Sequence, residues 1–314
     1  MTTTVQRVVC FGECMIELRS AGPRLLRQGF AGDTCNTAVY LARLGSEQGV
    51  SVRYAMGLGS DLFAAPMRQA WRDEGVDDSL SREVSGRSTG LYAIHVDANG
   101  ERQFSYWRDT SAARAYFDIA STPLEEAADS IDLLYLSGIS VAILPPAGRE
   151  RLLAVMARLR ERGARVAWDN NYRPRLWASI DEAREAFARF SHTSDIALLT
   201  LDDQRALQPG RSADEVIADA LALPCAEVVV KRGAAATLVR VQGAAPEEVP
   251  VWPVERPLDT TAAGDSFAAA YLAGRLRGLS PARSAAAGNQ LAATVIRHPG
   301  AIIAREAMPP ALWE

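Results

Sequence analysis

The chain has 314 residues, 48% of them hydrophobic and 23% charged, and its formal net charge at pH 7 is −4. This composition is typical of a globular protein with a sizeable core, and the acidic balance argues against the broad basic surface that nucleic-acid binding requires. The longest apolar runs, residues 131–136 and 139–144, are far shorter than the roughly 20 residues of a membrane span. We therefore expect a cytoplasmic protein with no membrane or nucleic-acid partner.

Along the chain, short apolar β-rich runs alternate with stretches of helical periodicity. Strands are predicted at residues 6–11, 52–56, 131–136, 165–168, 196–200 and 227–230. Helices are predicted at residues 36–44, 61–74, 147–161, 180–190, 212–221, 264–276 and 281–297. Asp61 places an acidic residue in the first turn of the second helix, where the helix dipole favours it. This alternation predicts an α/β fold with a central, mostly parallel sheet covered by helices on both faces.

One region breaks the alternation, because two strand-like segments, residues 88–96 and 101–107, follow each other without a helix. Residues 97–100 (Asp-Ala-Asn-Gly) separate them, and Asn-Gly between β-rich runs is a strong hairpin signal. A hairpin has no crossover helix to cover it, so its exposed face needs a substrate or a second subunit as a partner.

Only one of the 34 basic residues is a lysine, Lys231. A P-loop needs Gly-Lys followed by Ser or Thr, and a protein kinase needs a strand lysine with His-Arg-Asp and Asp-Phe-Gly; neither set occurs in the sequence. The four cysteines and three histidines lack metal-ligand spacing, so we expect buried free thiols and structural histidines. Any nucleotide chemistry must use another phosphate cradle.

Residues 259–267 (DTTAAGDSF) combine small residues with a predicted helix start. Unpaired backbone N–H groups and the positive end of the helix dipole suit the charge on phosphate oxygens. Asp265 lies in that first turn, directly after Ala262, Ala263 and Gly264. It can accept a proton from a hydroxyl while the backbone of these small residues forms an anion hole. The alternative is that Asp265 only favours the helix dipole.

The nine-residue string closely resembles the C-terminal signature of the ribokinase-like (PfkB) carbohydrate kinases. Three further segments are similar to motifs of the same family: residues 32–36 (GDTCN) to its sugar-binding segment, 169–173 (DNNYR) to its central strand end, and 231–233 (KRG) to its nucleotide loop. The resemblance implies one ribokinase-like three-layer α/β/α domain over residues 1–314. It also implies a small β lid from about residues 12–33 and 88–108, and ATP with Mg2+.

Within the family, the sequence looks most like the 2-keto-3-deoxygluconate kinases. The strings that carry this likeness include GECMIEL at residues 12–18, YLSGIS at 135–140, DNNYRPRLW at 169–177 and GAIIAREAMP at 300–309. The resemblance implies transfer of the ATP γ-phosphate to the terminal hydroxyl of that sugar acid, giving the 6-phosphate. That substrate carries a carboxylate, which needs a charged partner in a closed site, so we expect Arg108 and Arg173 to create the preference for an acid sugar.

The family motifs assign roles to individual residues of this chain. The substrate residues implied are Gly32, Asp33, Asn36, Tyr92, Tyr106, Arg108, Arg173 and Asp265. The catalytic residues implied are Asp265, Arg173 and the anion hole of Ala262, Ala263 and Gly264. The nucleotide residues implied are Asn171, Arg173, Lys231, Arg232, Gly233, Ala234, Ala235, Ala236, Ala262, Ala263, Gly264 and Asn289. Without the resemblance, the same side chains are compatible with helix caps, strand aromatics and surface arginines.

The resemblance also carries expectations about ions and assembly. Many members of the family have Asn-x-x-Glu where this chain has Thr200 and Asp203, so Asp203 is expected to position magnesium through water. A monovalent cation such as K+ is a further expectation. The uncovered hairpin predicts a homo-oligomer formed through the lid.

Three other functions remain open from the sequence. The first is another PfkB sugar kinase, a fructokinase or ribokinase, which needs no cation for a carboxylate. The second is a sugar-binding regulator without activity, against which the intact motif at residues 262–265 argues. The third is an NAD-dependent dehydrogenase, supported only by an isolated Gly-x-Gly at residues 57–59 that we interpret as a tight turn.

Overall fold

The computed structural model describes residues 5–22, 24–96 and 102–313, and this part of the chain contains fifteen strands and ten α-helices. The strands are β1 (Gln6–Phe11), β2 (Met15–Gly22), β3 (Leu25–Ala31), β4 (Val50–Ala55), β5 (Gly57–Gly59), β6 (Val76–Asp77), β7 (Arg82–Val84), β8 (Leu91–Val96), β9 (Arg102–Trp107), β10 (Leu133–Ser137), β11 (Arg165–Asp169), β12 (Ile196–Thr200), β13 (Glu227–Arg232), β14 (Ala235–Val241) and β15 (Glu247–Val249). The helices are α1 (Asp33–Gly45), α2 (Ala64–Asp73), α3 (Pro123–Glu126), α4 (Gly138–Ala142), α5 (Pro146–Glu161), α6 (Ile180–His192), α7 (Leu201–Leu207), α8 (Ala213–Leu221), α9 (Ala263–Leu276) and α10 (Pro281–Val295).

Nine strands form the central sheet, in the order β15-β14-β13-β12-β11-β10-β1-β4-β6. From β13 to β6 every neighbouring pair is parallel, whereas β14 and β15 complete one edge as antiparallel strands. The parallel strands are apolar almost throughout, which is what burial on both faces requires. The predicted mostly parallel sheet is confirmed, and its two antiparallel edge strands were not predicted.

Successive residues of β1 point to opposite faces of the sheet and belong to two different apolar clusters. Val8 and Cys10 pack in the cluster that contains α1, α9 and α10. Val9 and Phe11 pack in the cluster that contains α5 and α6. Helices therefore cover both faces, and the predicted three-layer α/β/α arrangement is confirmed.

A second, four-stranded sheet, which we call the side sheet, has the order β3-β2-β8-β9. Its β8–β9 pair is the predicted hairpin, although the predicted Asn-Gly turn at residues 97–100 lies outside the described residues. The β2–β3 pair falls in the region expected to contribute to a lid, but its two strands were not predicted individually. Met15, Tyr92 and Ile94 on this sheet pack against Ala301, which fastens its base to the main body.

The prediction that Asp61 lies in the first turn of a helix is wrong. Helix α2 begins three residues later, at Ala64. The carboxylate of Asp61 instead accepts hydrogen bonds from the backbone N–H of Phe63 at 2.9 Å and of Thr89 at 2.6 Å. These contacts fasten the α2 loop to the segment that leads into β8.

The four cysteines are free and buried, as predicted. Burial raises the pKa of the Cys225 thiol to about 11, so this thiol stays protonated near neutral pH. Among the described residues, none of the helices combines the length and the apolar character that crossing a bilayer requires.

Candidate active site

The candidate site lies at the carboxyl ends of the parallel strands, where ligands bind in open α/β sheets. Asp169 ends β11, Thr200 ends β12, and Lys231 lies near the end of β13. Helices α1 and α9 pack against each other at the same edge. The first turns of these helices contribute Asp33 and Asp265.

Helix α9 begins directly after a residue in an unusual conformation. Ala262, its N-cap, has φ 61° and ψ 15°, in the left-handed region that non-glycine residues rarely adopt. The first-turn amides of Gly264 and Asp265 have no acceptor within the helix. The amide of Ala263 donates to the carbonyl of Thr260 at 3.3 Å, so the anion-hole geometry is best developed at Gly264 and Asp265.

Asp265 is anchored by the first turns of α1. The side-chain amide of Asn36 donates to its Oδ2 at 2.8 Å, and the hydroxyl of Thr37 donates to its backbone oxygen at 3.2 Å. Burial, followed by the negative charge of Asp33, raises the pKa of the Asp265 carboxyl to about 8. The Asn36 hydrogen bond and the charge of Lys231 act in the opposite direction. Asp265 therefore has a pKa close to the working range of a general base.

Asp33 links two segments that the sequence assigned to the site separately. Its Oδ2 accepts a 2.7 Å hydrogen bond from the side-chain amide of Asn171 and another from the hydroxyl of Ser137. Burial raises the pKa of Asp33, and the neighbouring charge of Asp169 adds to the effect. Asn171 has a positive φ of 25°, an unusual backbone conformation at the point where the chain leaves β11.

Lys231, the single lysine of the chain, lies close to the start of α9. Its Nζ is 2.7 Å from Oδ2 of Asp169, whose side chain is buried, whereas the side chain of Lys231 is 11% exposed. A Cβ at Gly264 would lie 3.5 Å from this nitrogen, so the glycine leaves the space between the ammonium group and the helix start open. Lys231 thus places a positive charge close to the proposed anion hole.

Gly233 and Ala234 form the turn between β13 and β14. Gly233 has φ 62°, and residues 233–235 are exposed. Arg232 donates to the carbonyl of Ala236 at 2.6 Å and to Glu248 at 2.9 Å. The predicted nucleotide loop is thus an open turn next to Lys231.

Asn289 is buried, and hydrogen bonds within the protein occupy its amide. Its Oδ1 accepts from the hydroxyl of Thr237 at 2.8 Å, and its Nδ2 donates to the carbonyl of Pro250 at 3.0 Å. This arrangement suits a residue that shapes the neighbouring surface more than one that binds a base directly.

Arg173 and Asp203 meet at the opening of the site. Nη1 of Arg173 is 3.3 Å from Oδ1 of Asp203 and donates to the carbonyl of Tyr172 at 2.8 Å. Burial raises the pKa of Asp203, and the charge of Arg173 opposes this. No cluster of three or more metal-ligating side chains occurs in the described ranges. A lone carboxylate oxygen beside phosphate oxygens nevertheless fits Mg2+, which is usually held by one or two carboxylates plus waters.

Tyr92 and Tyr106 lie on strands β8 and β9 of the side sheet, and Arg108 directly follows β9. Tyr92 is buried and donates to Glu17, and its ring lies 5.8 Å from that of the half-exposed Tyr106. Arg108 is buried and forms an ion pair with Glu13. The charge of Arg108 lowers the pKa of Asp33, opposing the larger effect of burial.

Sequence reasoning did not identify Glu13 as a site residue. Its side chain is fully buried and is the partner of Arg108, 95 positions away. Its Oε1 has no hydrogen-bond partner among the described residues. One sequence feature could have indicated it: Glu13 is the only charged residue in the otherwise apolar stretch of residues 8–16, and a buried glutamate almost always has a partner.

Known proteins resemble this chain along nearly its whole length. The pattern of the pfkB family carbohydrate kinases matches residues 5–308. The 2-dehydro-3-deoxygluconokinase of Escherichia coli (strain K12) is 46% identical over 307 residues, which is 97% of this chain and 99% of the relative. The protein of the same name from Dickeya dadantii is 47% identical over 310 residues, covering 98% of this chain and 99% of the relative.

Solved structures share the fold at lower sequence identity. A 2-dehydro-3-deoxygluconokinase from Thermotoga maritima has a TM-score of 0.80 and 22% identity, covering 95% of this chain and 96% of that one. An Escherichia coli protein in complex with ATP and Mg2+ has a TM-score of 0.81 and 20% identity, covering 97% of this chain and 96% of that one. The family pattern spans nearly the whole chain and the two relatives are highly similar along it, so the chain belongs to the pfkB family of carbohydrate kinases.

Proposed function

We propose that this protein transfers the γ-phosphoryl group of ATP to the terminal hydroxyl of 2-keto-3-deoxygluconate, giving the 6-phosphate and ADP. Relatives 46% and 47% identical along nearly the whole chain carry the name of this activity. The main structural support for this chemistry is the position of Asp265, which lies in the first turn of α9 and accepts a hydrogen bond from Asn36.

In this account, the attacking hydroxyl lies between Asp265 and the first-turn amides of α9. Asp265 takes the hydroxyl proton as the new O–P bond forms, and the β–γ bridging oxygen leaves with ADP. The amides of Gly264 and Asp265 hold the transferring phosphoryl oxygens at the positive end of the helix dipole. Lys231, whose ammonium group lies close to Gly264, adds positive charge beside these amides.

A bound magnesium ion would supply positive charge that offsets the charge of the phosphates. We propose that Asp203 holds the water shell of the magnesium ion. Arg173, which contacts Asp203, is proposed to stabilise the negative charge of the transferred phosphate. A monovalent cation such as K+ is an additional proposal, to be tested by comparing turnover in K+ and in tetramethylammonium salts. We place the reaction in the cytoplasm, where ATP is available.

We further propose that the side sheet acts as the lid of this site. Tyr92, Tyr106 and Arg108 would contact the sugar acid from that sheet, while Gly32, Asp33 and Asn36 would contact it from the main body. Closure of the sheet would position the hydroxyl and exclude water, so that phosphoryl transfer to water is avoided. Arg108 and Arg173 are the cations proposed for the substrate carboxylate.

The experiment that tests this function is a panel of sugar acids and neutral sugars assayed with ATP and Mg2+. We expect 2-keto-3-deoxygluconate to be phosphorylated with a kcat/KM at least about 100-fold above fructose or ribose, given the cost of burying unpaired charged groups. Phosphorus coupling in the NMR spectrum of the product should locate the phosphate at the terminal carbon. A preference for fructose or ribose would replace this function with that of another sugar kinase.

A further inference from the structure

We propose that Arg19, on strand β2 of the side sheet, is a positioning residue for the loop of residues 259–264, which we call the phosphate-binding loop. Its guanidinium balances the charge of Asp259, the residue that begins this loop, and so connects the side sheet to the anion hole. The inference rests on the proposed function, because it concerns the site at which phosphoryl transfer is proposed to occur.

Asp259 organises the loop that precedes α9. Its Oδ1 accepts a 2.9 Å hydrogen bond from the backbone N–H of Thr261, and its Oδ2 accepts one of 2.9 Å from Gly300. The first bond closes a local turn, and the second fastens the start of the motif to the segment that follows α10. Three residues after Asp259 the chain adopts the left-handed conformation at Ala262. A shift of Asp259 would therefore be transmitted directly to the amides at the start of α9.

The carboxylate of Asp259 is buried, with 8% of the side chain exposed, and a buried charge needs a countercharge nearby. Nη1 of Arg19 lies 3.8 Å from its Oδ2, and a Cβ at Gly300 would lie 3.5 Å from the same nitrogen. The guanidinium thus borders both residues that form the loop anchor. Its Nε and Nη2 have no hydrogen-bond partner among the described residues. At 3.8 Å, the contact between Arg19 and Asp259 is an attraction between charges and not an aligned hydrogen bond.

Arg19 also belongs to the network that holds a proposed sugar contact. Its Nη2 is 3.3 Å from Oε1 of Glu17, and Glu17 accepts the hydrogen bond from the hydroxyl of Tyr92. Strand β2 pairs with β8, the strand that carries Tyr92. A continuous series of contacts thus runs from Tyr92 through Glu17 and Arg19 to Asp259. A movement of the side sheet over the sugar would therefore be transmitted to the phosphate-binding loop.

The chain offers room for a test by chemical rescue. A cavity of about 490 Å3 lies beside Arg19, lined also by Arg27, Gln28 and residues 299–302. Truncation of Arg19 would leave space there for a free guanidinium ion. Arg27 provides a matched control, because it is the cross-strand neighbour of Arg19 and lines the same cavity but is exposed.

The experiment compares Arg19→Ala and Arg27→Ala in the full-length protein, with Arg19→Gln as the variant to use if the alanine variant fails to fold. Hydrogen exchange of the amides of residues 259–264 is measured with and without about 20 mM guanidinium, far below the molar concentrations that unfold proteins. Turnover is measured in the same samples. We expect faster exchange in this loop and a kcat lowered by about 10-fold only when Arg19 is changed, with both effects at least partly reversed by guanidinium.

Loop exchange in the Arg19 variant equal to that of the wild type, the same changes in Arg27→Ala, or no reversal by guanidinium would each overturn the inference. The exchange measurement needs no substrate. If the wild-type protein fails to phosphorylate 2-keto-3-deoxygluconate, the proposed function fails, while exchange and its reversal still decide the role of Arg19.

Discussion

The side-chain amide of Asn36 donates a 2.8 Å hydrogen bond to Oδ2 of Asp265, and the two residues are 229 positions apart in the chain. This bond orients the carboxylate and stabilises its charged form. Burial acts against it more strongly, and the pKa of Asp265 is raised to about 8. The balance between these two effects sets the pH at which the proposed base becomes available.

The first prediction concerns the pH dependence of turnover. Asp265 must be deprotonated to accept a proton, so kcat/KM should rise with pH and level off above a pKa of about 8. Asn36→Leu removes the donor that stabilises the carboxylate, so it should move this acidic limb to higher pH. An acidic limb of the wild-type profile near the ordinary aspartate pKa would show that Asp265 is not the titrating base. A limb that Asn36→Leu leaves unchanged would show that Asn36 does not set its pKa.

The same pKa can be tested without turnover. The folded protein retains the Asp265 proton from the ordinary pKa of about 4 up to about 8, whereas the unfolded chain has released it. Stability from this residue is therefore lost as pH rises through that window. Asp265→Asn cannot ionise, so its melting temperature relative to the wild type should be higher at about pH 9 than at about pH 4. An equal difference at both values would contradict the raised pKa.

The second prediction concerns Lys231. Its ammonium group pairs with Asp169 and lowers the pKa of Asp265. Lys231→Met should shift the acidic limb of kcat/KM further upward and destabilise the fold by about 3–5 kcal/mol, because Asp169 is left buried without its partner. Lys231→Arg, which keeps the charge, should leave the limb closer to its wild-type position. Identical limbs in the methionine variant and the wild type would show that Lys231 has no electrostatic role at Asp265.

The third prediction separates the two roles of Arg108. Arg108→Ala should lower kcat/KM for the acid sugar by about 30-fold or more, because a desolvated carboxylate loses its partner. It should also lower the melting temperature, because Glu13 is left buried without a counterion.

The double variant Arg108→Ala, Glu13→Gln provides the control for this loss of stability. We expect it to recover much of the stability but not the turnover of the acid sugar. Turnover of neutral sugars should change little in either variant. Acid and neutral sugars losing turnover by the same factor in the double variant would mean that Arg108 is only structural.

The fourth prediction concerns assembly through the side sheet. Leu26 and Trp107 are each 61% exposed, and the strand register places them on the same face of that sheet. Covering such apolar surface favours a second copy of the chain, so sedimentation at micromolar concentration should show a dimer or larger. Leu26→Glu with Trp107→Glu should give monomers.

The control for this experiment is Leu62→Glu, because Leu62 is 89% exposed but lies outside the side sheet. This variant should sediment like the wild type. A wild-type protein that is entirely monomeric would rule out the proposed interface.

Most of the central architecture could be predicted from the sequence, because the buried parallel strands are largely apolar runs and at least one helix separates each of them from the next parallel strand along the chain. The predicted strands at residues 6–11 and 196–200 agree with β1 and β12 in both bounds. The side sheet was harder to predict, since β2 ends and β3 begins in exposed residues and neither strand alternates clearly between buried and exposed positions. The Gly-x-Gly at residues 57–59, interpreted as a turn, is the short strand β5.

The candidate site was predictable only as separate motifs. Their resemblance to a family indicated which residues belong to it, but local patterns carry no information on contacts between distant positions. The bonds from Asn36 to Asp265 and from Arg108 to Glu13 are of this kind. Each joins elements that only the folded sheet brings together, and each changes the electrostatics on which the chemistry depends.

Turnover of 2-keto-3-deoxygluconate with ATP by Asp265→Asn is the sharpest test of Asp265 as the general base. The variant keeps the shape of the side chain and a hydrogen-bonding group for Asn36, so the fold and ATP binding should persist. Loss of the base should lower kcat by about 10²–10⁴-fold or more, with little change in the affinity for ATP measured by calorimetry. A folded Asp265→Asn protein with near-normal kcat would contradict the account.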